Sequence, residues 1–318
     1  MRSRLASMIG AEAYYAHITT FHSFCIEIIK DNPDYFTLNP SVEPLSELEK
    51  LKIIYKLLDS VPLKNLRPLG APRLYVKAIL GAISDLKREG VDVDEFEHLL
   101  KVEELFLNSD EGRELKKVEL TKRLHNLAKN KELNILYGLY QTELKSLESF
   151  DFEDMITTVV DAFKTNEDLL HACQEKYLYI LVDEYQDTNS AQNELILSLA
   201  SFWGEGANIF VTGDPDQSIM RFQGASIENQ LSFIKVYPQA TVITLKQNYR
   251  STQTILDVAD SLISGNNLRI SDVVATIDPH LISQTGVGGK IGIAQLSGST
   301  AETIFIAQDI KAKIKHGV

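Results

Sequence analysis

The chain has 318 residues, 44% of them hydrophobic, enough for packed cores in two or three domains and unlike a disordered polymer. Its 32 basic and 44 acidic residues leave a net charge of −12, which argues against a protein that coats nucleic acid non-specifically, though not against a narrow basic channel in an acidic body. Cys25 and Cys173 stand far apart without Cys-x-x-Cys or Cys/His spacing, which argues against a structural zinc site or disulfide framework and fits a reducing compartment.

The first ten residues, Met1 to Gly10, carry arginines but no long apolar stretch, so they do not read as a secretory signal. No apolar segment approaches the roughly 18 residues that span a bilayer, and a cytoplasmic location is the expectation. Residues 1–35 open on a short helical pattern, pass through an extended or loop segment from His17 to Phe24, and continue as a helix over Phe24–Ile29 that Asn32-Pro33 breaks. Residues 45–150 change character. Apolar residues recur at helical spacing (Leu51, Ile54, Leu57, Leu58; Tyr75, Ile79, Leu80, Ile83, Leu86; Ile135, Leu136, Leu139, Tyr140, Leu144, Leu147), and charges fill the gaps. This predicts an all-helical insertion of roughly 100 residues.

From 151 the pattern becomes α/β. Strands are predicted at Tyr177–Val182, Asn208–Thr212, Thr241–Leu245 and Lys290–Gln295, with helices between them. One helix should start at Asn189, because Gln192 three residues on completes a capping box. Alternating strands and helices imply a parallel sheet. The segment 272–290, with Gly286, Gly288 and Gly289, reads as a surface turn before the last strand.

Three segments carry chemistry. The apolar run Tyr177–Val182 ends in two adjacent carboxylates, Asp183 and Glu184. The run reads as a strand buried on both faces, and acids at its carboxyl end lie where open α/β sheets bind ligands. One acid can hold Mg²⁺ on a nucleotide while its neighbour polarises an attacking water. The second segment, Val211–Ala225, follows another strand: Gly213 permits a sharp turn, Gln217 can orient a water beside a phosphate, and Arg221 and Phe222 offer a cation and an aromatic face to single-stranded nucleic acid. In the third, Leu245–Ser251, Tyr249 can stack on a purine and Arg250 can fork onto a phosphate.

At these residues the chain resembles the superfamily-1 DNA helicases of the UvrD/Rep type. Val182-Asp-Glu-Tyr-Gln-Asp-Thr-Asn189 is similar to that family's Walker B segment, Gly213-Asp-Pro-Asp-Gln-Ser-Ile219 to its third motif, and Asn248-Tyr-Arg-Ser251 to its fourth. Thr20-Phe-His-Ser23 resembles a DNA-contacting motif of the first motor domain, and Phe152-Glu-Asp-Met-Ile156 the segment where the chain returns to that domain after a helical insertion. These motifs in order are far more specific than any one of them.

The resemblance implies a parallel-sheet P-loop NTPase (RecA-like) fold: motor domain 1A over residues 1–44 and 151–240, helical insertion 1B over 45–150, and the start of a second α/β domain, 2A, over 241–318. It implies ATP and Mg²⁺ as cofactors, with Asp183 as the metal ligand, Glu184 positioning the water, Gln217 linking the terminal phosphate to DNA, Tyr249 on adenine and Arg250 on the γ-phosphate. Phe21, His22, Arg221 and Phe222 would lie along single-stranded DNA; His22 equally suits a helix cap, and Phe21 a core position. The implied activity is ATP-driven 3′-to-5′ translocation and unwinding, with DNA junctions and repair or replication proteins as partners. Two departures are Met220 and Gln223, where the family usually carries Tyr and Arg. No Gly-x-x-x-x-Gly-Lys-[Ser/Thr] loop occurs, so the resemblance implies an internal piece of a longer helicase, with its phosphate loop upstream and its last motor motifs downstream. The alternatives are a non-catalytic nucleic-acid-binding or regulatory module with a degenerate motor fold, and the motor subunit of a helicase–nuclease, against which the Asp216-Gln217 pair speaks.

Overall fold

The computed structural model describes residues 1–38, 43–217, 227–265 and 280–315, with only the backbone of residues 227, 228 and 230. The chain divides into two compact units, Met1–Ala240 and Thr241–Val318.

The first unit opens with α1 (Arg2–Ile9) and α2 (Phe21–Asp31). Thr20 sets the start of α2: its hydroxyl accepts the Ser23 N–H at 3.3 Å, an N-cap worth about 1 kcal/mol. Phe21 and His22 therefore sit in the first turn of a helix, where the sequence pattern predicts a loop. Asn32 ends α2 just before Pro33.

Residues 47–146 fold as α3 (Glu47–Ser60), α4 (Val76–Arg88), α5 (Val93–Asn108), the short α6 (Asp110–Arg113) and α7 (Lys117–Ser146). A Ser46–Glu49 capping box starts α3, and the Asp92 carboxylate caps α5 by accepting the Glu95 N–H at 2.8 Å. The apolar stripes meet in one core that includes Ile54, Leu57, Leu58, Ile79, Ile83, Leu136, Tyr140 and Leu144. Ile135 and Leu147, on the edges of the α7 stripe, stay exposed.

The rest of the unit is built from α8 (Asp154–Thr165), α9 (Glu167–Lys176), β1 (Ile180–Val182), α10 (Ser190–Ala200), β2 (Ile209–Val211) and α11 (Ile227–Val236). Cys25, Ile28 and Ile29 of α2 pack with Met155, Val159 and Phe163 of α8 and Leu195 of α10. β1 and β2 are parallel, in the register Ile180↔Ile209, Leu181↔Phe210, Val182↔Val211. Burial of β1 on both faces does not hold. Val182 is buried with Tyr185, Ile196 and Phe233, but Leu181 is 75% and Phe210 57% exposed. Consecutive strand residues point to opposite faces, and among the described residues helices cover only the Val182 face.

A buried ion cluster fastens α4 to the start of α8. The Lys87 ammonium, 1% exposed, donates to Asp151 Oδ2 at 2.5 Å and to Asp154 Oδ1 at 2.7 Å. The two carboxylates also accept backbone N–H groups reciprocally, Asp154 N–H to Asp151 Oδ1 at 3.1 Å and Asp151 N–H to Asp154 Oδ2 at 2.9 Å. Burial opposes the lysine charge, yet the two aspartates outweigh it and raise the Lys87 pKa. Burial pushes Asp154 up to about 6, with Lys87 pulling it down and Asp151 adding to the rise. Beside the cluster Arg88 pairs with Glu153 at 3.0 Å.

In the second unit, β3 (Gln247–Asn248) and β4 (Ile282–Ser283) pair in parallel, with α12 (Gln253–Ile263) and α13 (Ser299–Lys315) alongside them in sequence. The predicted strands Thr241–Leu245 and Lys290–Gln295 do not form. Their β-prone residues, among them Ile243, Leu245 and Ile293, find no partner strand among the described residues and remain exposed; propensity alone does not make a strand. Pairing occurs instead within the segment expected to be a turn, of which residues 272–279 lie outside the described residues. No helix among the described residues is long and apolar enough to cross a membrane.

Candidate functional site

The site begins with two parallel strands that end together. Beyond β1 and β2 the backbone stays paired: the Thr212 N–H donates to Val182 O and the Tyr185 N–H to Thr212 O, each at 2.9 Å. This brings Asp183-Glu184 alongside Thr212-Gly213 at the carboxyl edge of the sheet, where parallel α/β sheets collect ligands. Both carboxylates are exposed.

Their local geometry is unusual. Glu184 has φ +51° and ψ +45°, the left-handed region that costs a non-glycine residue of order 1 kcal/mol. Three contacts hold it. Its N–H donates to Asp183 Oδ1 at 3.1 Å, its carbonyl accepts the Asp187 N–H at 2.9 Å, and its Oε2 accepts the Gln186 Nε2–H at 2.7 Å. The turn that follows is pinned from below. Tyr185 is buried, its hydroxyl donates to Asn193 Oδ1, and its ring packs edge-on to Phe233. Asn189 starts α10 with the predicted capping box to Gln192. The strained backbone thus stands on a fixed base and aims Glu184 outward.

The loop after β2 faces this turn. The Asp214 carboxylate accepts the Asp216 N–H at 3.1 Å and the Gln217 Nε2–H at 2.6 Å. Asp183, Glu184 and Gln217 therefore share one edge of the first unit. Met220, Arg221, Phe222 and Gln223 lie outside the described residues.

Tyr249 and Arg250 belong to the second unit, immediately after β3. The Asn248 side-chain oxygen accepts the N–H groups of Arg250 at 3.0 Å and Ser251 at 2.7 Å, and so folds the turn that presents both side chains to solvent. Tyr249 is 72% exposed, an open ring suited to stacking. Gly288, at φ +87°, packs where a Cβ would meet the Thr252 side chain at 2.2 Å, so only glycine fits beneath that turn.

Near the start of α2, the His22 ring stacks on Phe152 with centroids 3.7 Å apart and planes 27° off parallel. Burial, and then the Arg88 guanidinium, lower the His22 pKa to about 4, so the ring is neutral at pH 7. Phe152 is 50% exposed and presents part of a flat apolar surface. The sequence does not single out Phe152 as a contact residue; the signal was an aromatic set among the charges Asp151, Glu153 and Asp154. Phe21 is half-buried and packs against both cores beside it.

No cluster of three or more metal-ligating side chains occurs among the described residues. The Mg²⁺ of a nucleotide takes one or two carboxylates and fills its other positions with water and phosphate oxygens. A single exposed aspartate at a sheet edge meets that requirement.

Residues 1–238 match the family model of the UvrD/REP helicase N-terminal domain, and residues 243–317 that of the UvrD-like helicase C-terminal domain. The chain is 36% identical over 269 residues to the ATP-dependent DNA helicase PcrA of Bacillus subtilis, covering 85% of this chain and 32% of that protein. It is 33% identical over 317 residues to the PcrA of Staphylococcus aureus strain Mu50, covering 100% of this chain and 38% of that protein. The chain thus spans about a third of the length of the curated relatives it matches.

Proposed function

This chain belongs to the UvrD/Rep helicase family, and from that premise we propose that it supplies nucleotide-hydrolysing and DNA-gripping surfaces of an ATP-dependent DNA helicase. The observation that carries the proposal is the pair of adjacent, exposed carboxylates at the end of β1, set against the Gly213–Gln217 loop at the end of β2. Asp183 would hold the Mg²⁺ that neutralises phosphate charge. Glu184, aimed outward by its strained backbone, would orient the attacking water. Gln217 would meet the terminal phosphate, Tyr249 would stack on the base, and Arg250 would offset charge developing in the transition state.

In this reading residues 1–44 and 151–240 make motor domain 1A, 45–150 the helical insertion 1B, and 241–318 the start of motor domain 2A. Single-stranded DNA would run past Phe21 and His22, with an unpaired base stacked on Phe152 and with Arg221 and Phe222 as further contacts. Movement from 3′ to 5′ and opening of duplexes are supported by family membership. Junction DNA and proteins of repair or replication are the proposed partners.

The decisive experiment is Glu184→Gln in the full-length protein. ATP binding should persist while DNA-stimulated hydrolysis falls about 100-fold. An unchanged kcat removes Glu184 from the chemistry. Strand displacement on duplexes with a 3′ or a 5′ single-stranded tail tests direction; unwinding that requires the 5′ tail overturns the polarity proposed.

A further inference from the structure

Between Glu184 and Gln217 lies a residue to which neither the motifs nor the chemistry gives a task. Gln186 is 2% exposed. Its side-chain amide uses both ends: Nε2–H donates to Glu184 Oε2 at 2.7 Å, and Oε1 accepts the Asp214 N–H at 3.0 Å. The chemistry fixes this orientation, since a carboxylate only accepts and an N–H only donates. The Asp214 carboxylate in turn holds the Gln217 amide at 2.6 Å. A chain of hydrogen bonds, Glu184–Gln186–Asp214–Gln217, therefore joins the strand-end glutamate to Gln217 of the neighbouring loop.

Gly213 makes the central bond possible. A Cβ there would lie 2.4 Å from Gln186 Oε1 and 3.2 Å from the backbone nitrogens of Tyr185 and Gln186. The glycine is required by this close approach, since no left-handed φ marks it. Any side chain at 213 would push the amide off the Asp214 N–H.

We propose that Gln186 is a positioning residue: it locks the Glu184 carboxylate to the loop that carries Gln217, so that a shift of Gln217 on meeting a terminal phosphate moves the glutamate with it. The inference rests on the reading of Glu184 as the residue that orients the hydrolytic water. A buried amide with two directed bonds fixes both distance and angle, and misplacing a reacting group by about 1 Å can cost about 100-fold in rate. A carboxylate in a strained turn, without that bond, would sample orientations that do not face the water.

The test is Gln186→Met in the full-length protein, a change that keeps volume and removes both hydrogen bonds. The expected result is a kcat for DNA-stimulated ATP hydrolysis lowered about 10-fold to 100-fold, with KM for ATP within about twofold. In the Glu184→Gln background the same change should have no further effect, because the group being positioned is already gone. Parent-like kcat in Gln186→Met overturns the proposal. So does an equal loss in both backgrounds accompanied by a lowered Tm, which marks a purely structural role. Gly213→Ala displaces the amide from the other side; should Gln186→Met fail to fold, a reduced kcat at unchanged KM in Gly213→Ala supports the lock and parent-like kcat there overturns it. If Glu184→Gln itself hydrolyses ATP at the parent rate, the reading of Glu184 fails instead, a result separable from failure of the lock.

Discussion

Two sets of carboxylates in the first unit face opposite circumstances. Asp151 and Asp154 are buried, and each has one carboxylate oxygen on Lys87 and the other on a backbone N–H. Asp183 and Glu184 are exposed at a sheet edge and are held by a backbone N–H and a neutral amide. A buried charge must be satisfied internally, and once satisfied it has nothing left for a ligand. An exposed carboxylate fixed by weak neutral contacts keeps lone pairs and access to water. The first set holds α4 to the start of α8; the second is available for chemistry.

The sharpest way to break this contrast is to remove the cation. Lys87→Met would leave two buried carboxylates without their counter-charge, and folding stability should drop by about 3–5 kcal/mol, read as a lower urea midpoint at pH 7. The surviving folded fraction should keep its kcat. Loss of kcat at unchanged stability would place Lys87 with the chemistry instead. Glu184→Gln is the opposite case. Its loss of about 100-fold in kcat should come with a stability change within about 0.5 kcal/mol, as at other exposed positions. A large loss of stability there would show that the strained turn is a structural element first.

How much of this could be read along the chain follows from how local each feature is. β1, β2 and the acids at the end of β1 are written in consecutive residues, as is the Asn189–Gln192 cap. Features that depend on distant partners were not legible. Lys87 finds Asp151 across 64 residues, and Gln186 finds Asp214 across 28; no periodicity links such positions. The same reason explains the failed strands Thr241–Leu245 and Lys290–Gln295, whose apolar patterns are strand-like but whose backbones meet no partner strand among the described residues. It also explains Leu181: an apolar run says that a strand forms, and only the neighbouring helices decide which of its faces is covered.

Phe152 sharpens the contrast at its boundary, since it follows the buried Asp151 directly and yet is half exposed. If it carries a base, Phe152→Ala should weaken binding of single-stranded DNA by about 1–3 kcal/mol, measured by fluorescence anisotropy at fixed salt, with a far smaller effect on stability than Lys87→Met. Unchanged affinity would return Phe152 to the structural set.

The last effect concerns His22, which stacks on that ring. Its pKa is lowered from the ordinary 6.5 to about 4, by burial first and by Arg88 second. The sign follows from which state holds the proton. Between pH 6.5 and about 4 the unfolded chain binds a proton that the folded protein refuses, so His22 adds stability that is complete above pH 6.5 and is lost as pH falls through that window. His22→Phe keeps an aromatic ring on Phe152 and removes the titration. The parent should therefore lose stability relative to His22→Phe as the urea midpoint is followed from pH 7 to pH 4.5. Parallel curves would mean that the ring is wet enough to protonate in place. His22 would then belong with the solvent-facing carboxylates of the sheet edge, and burial beside Arg88 would no longer account for its neutrality.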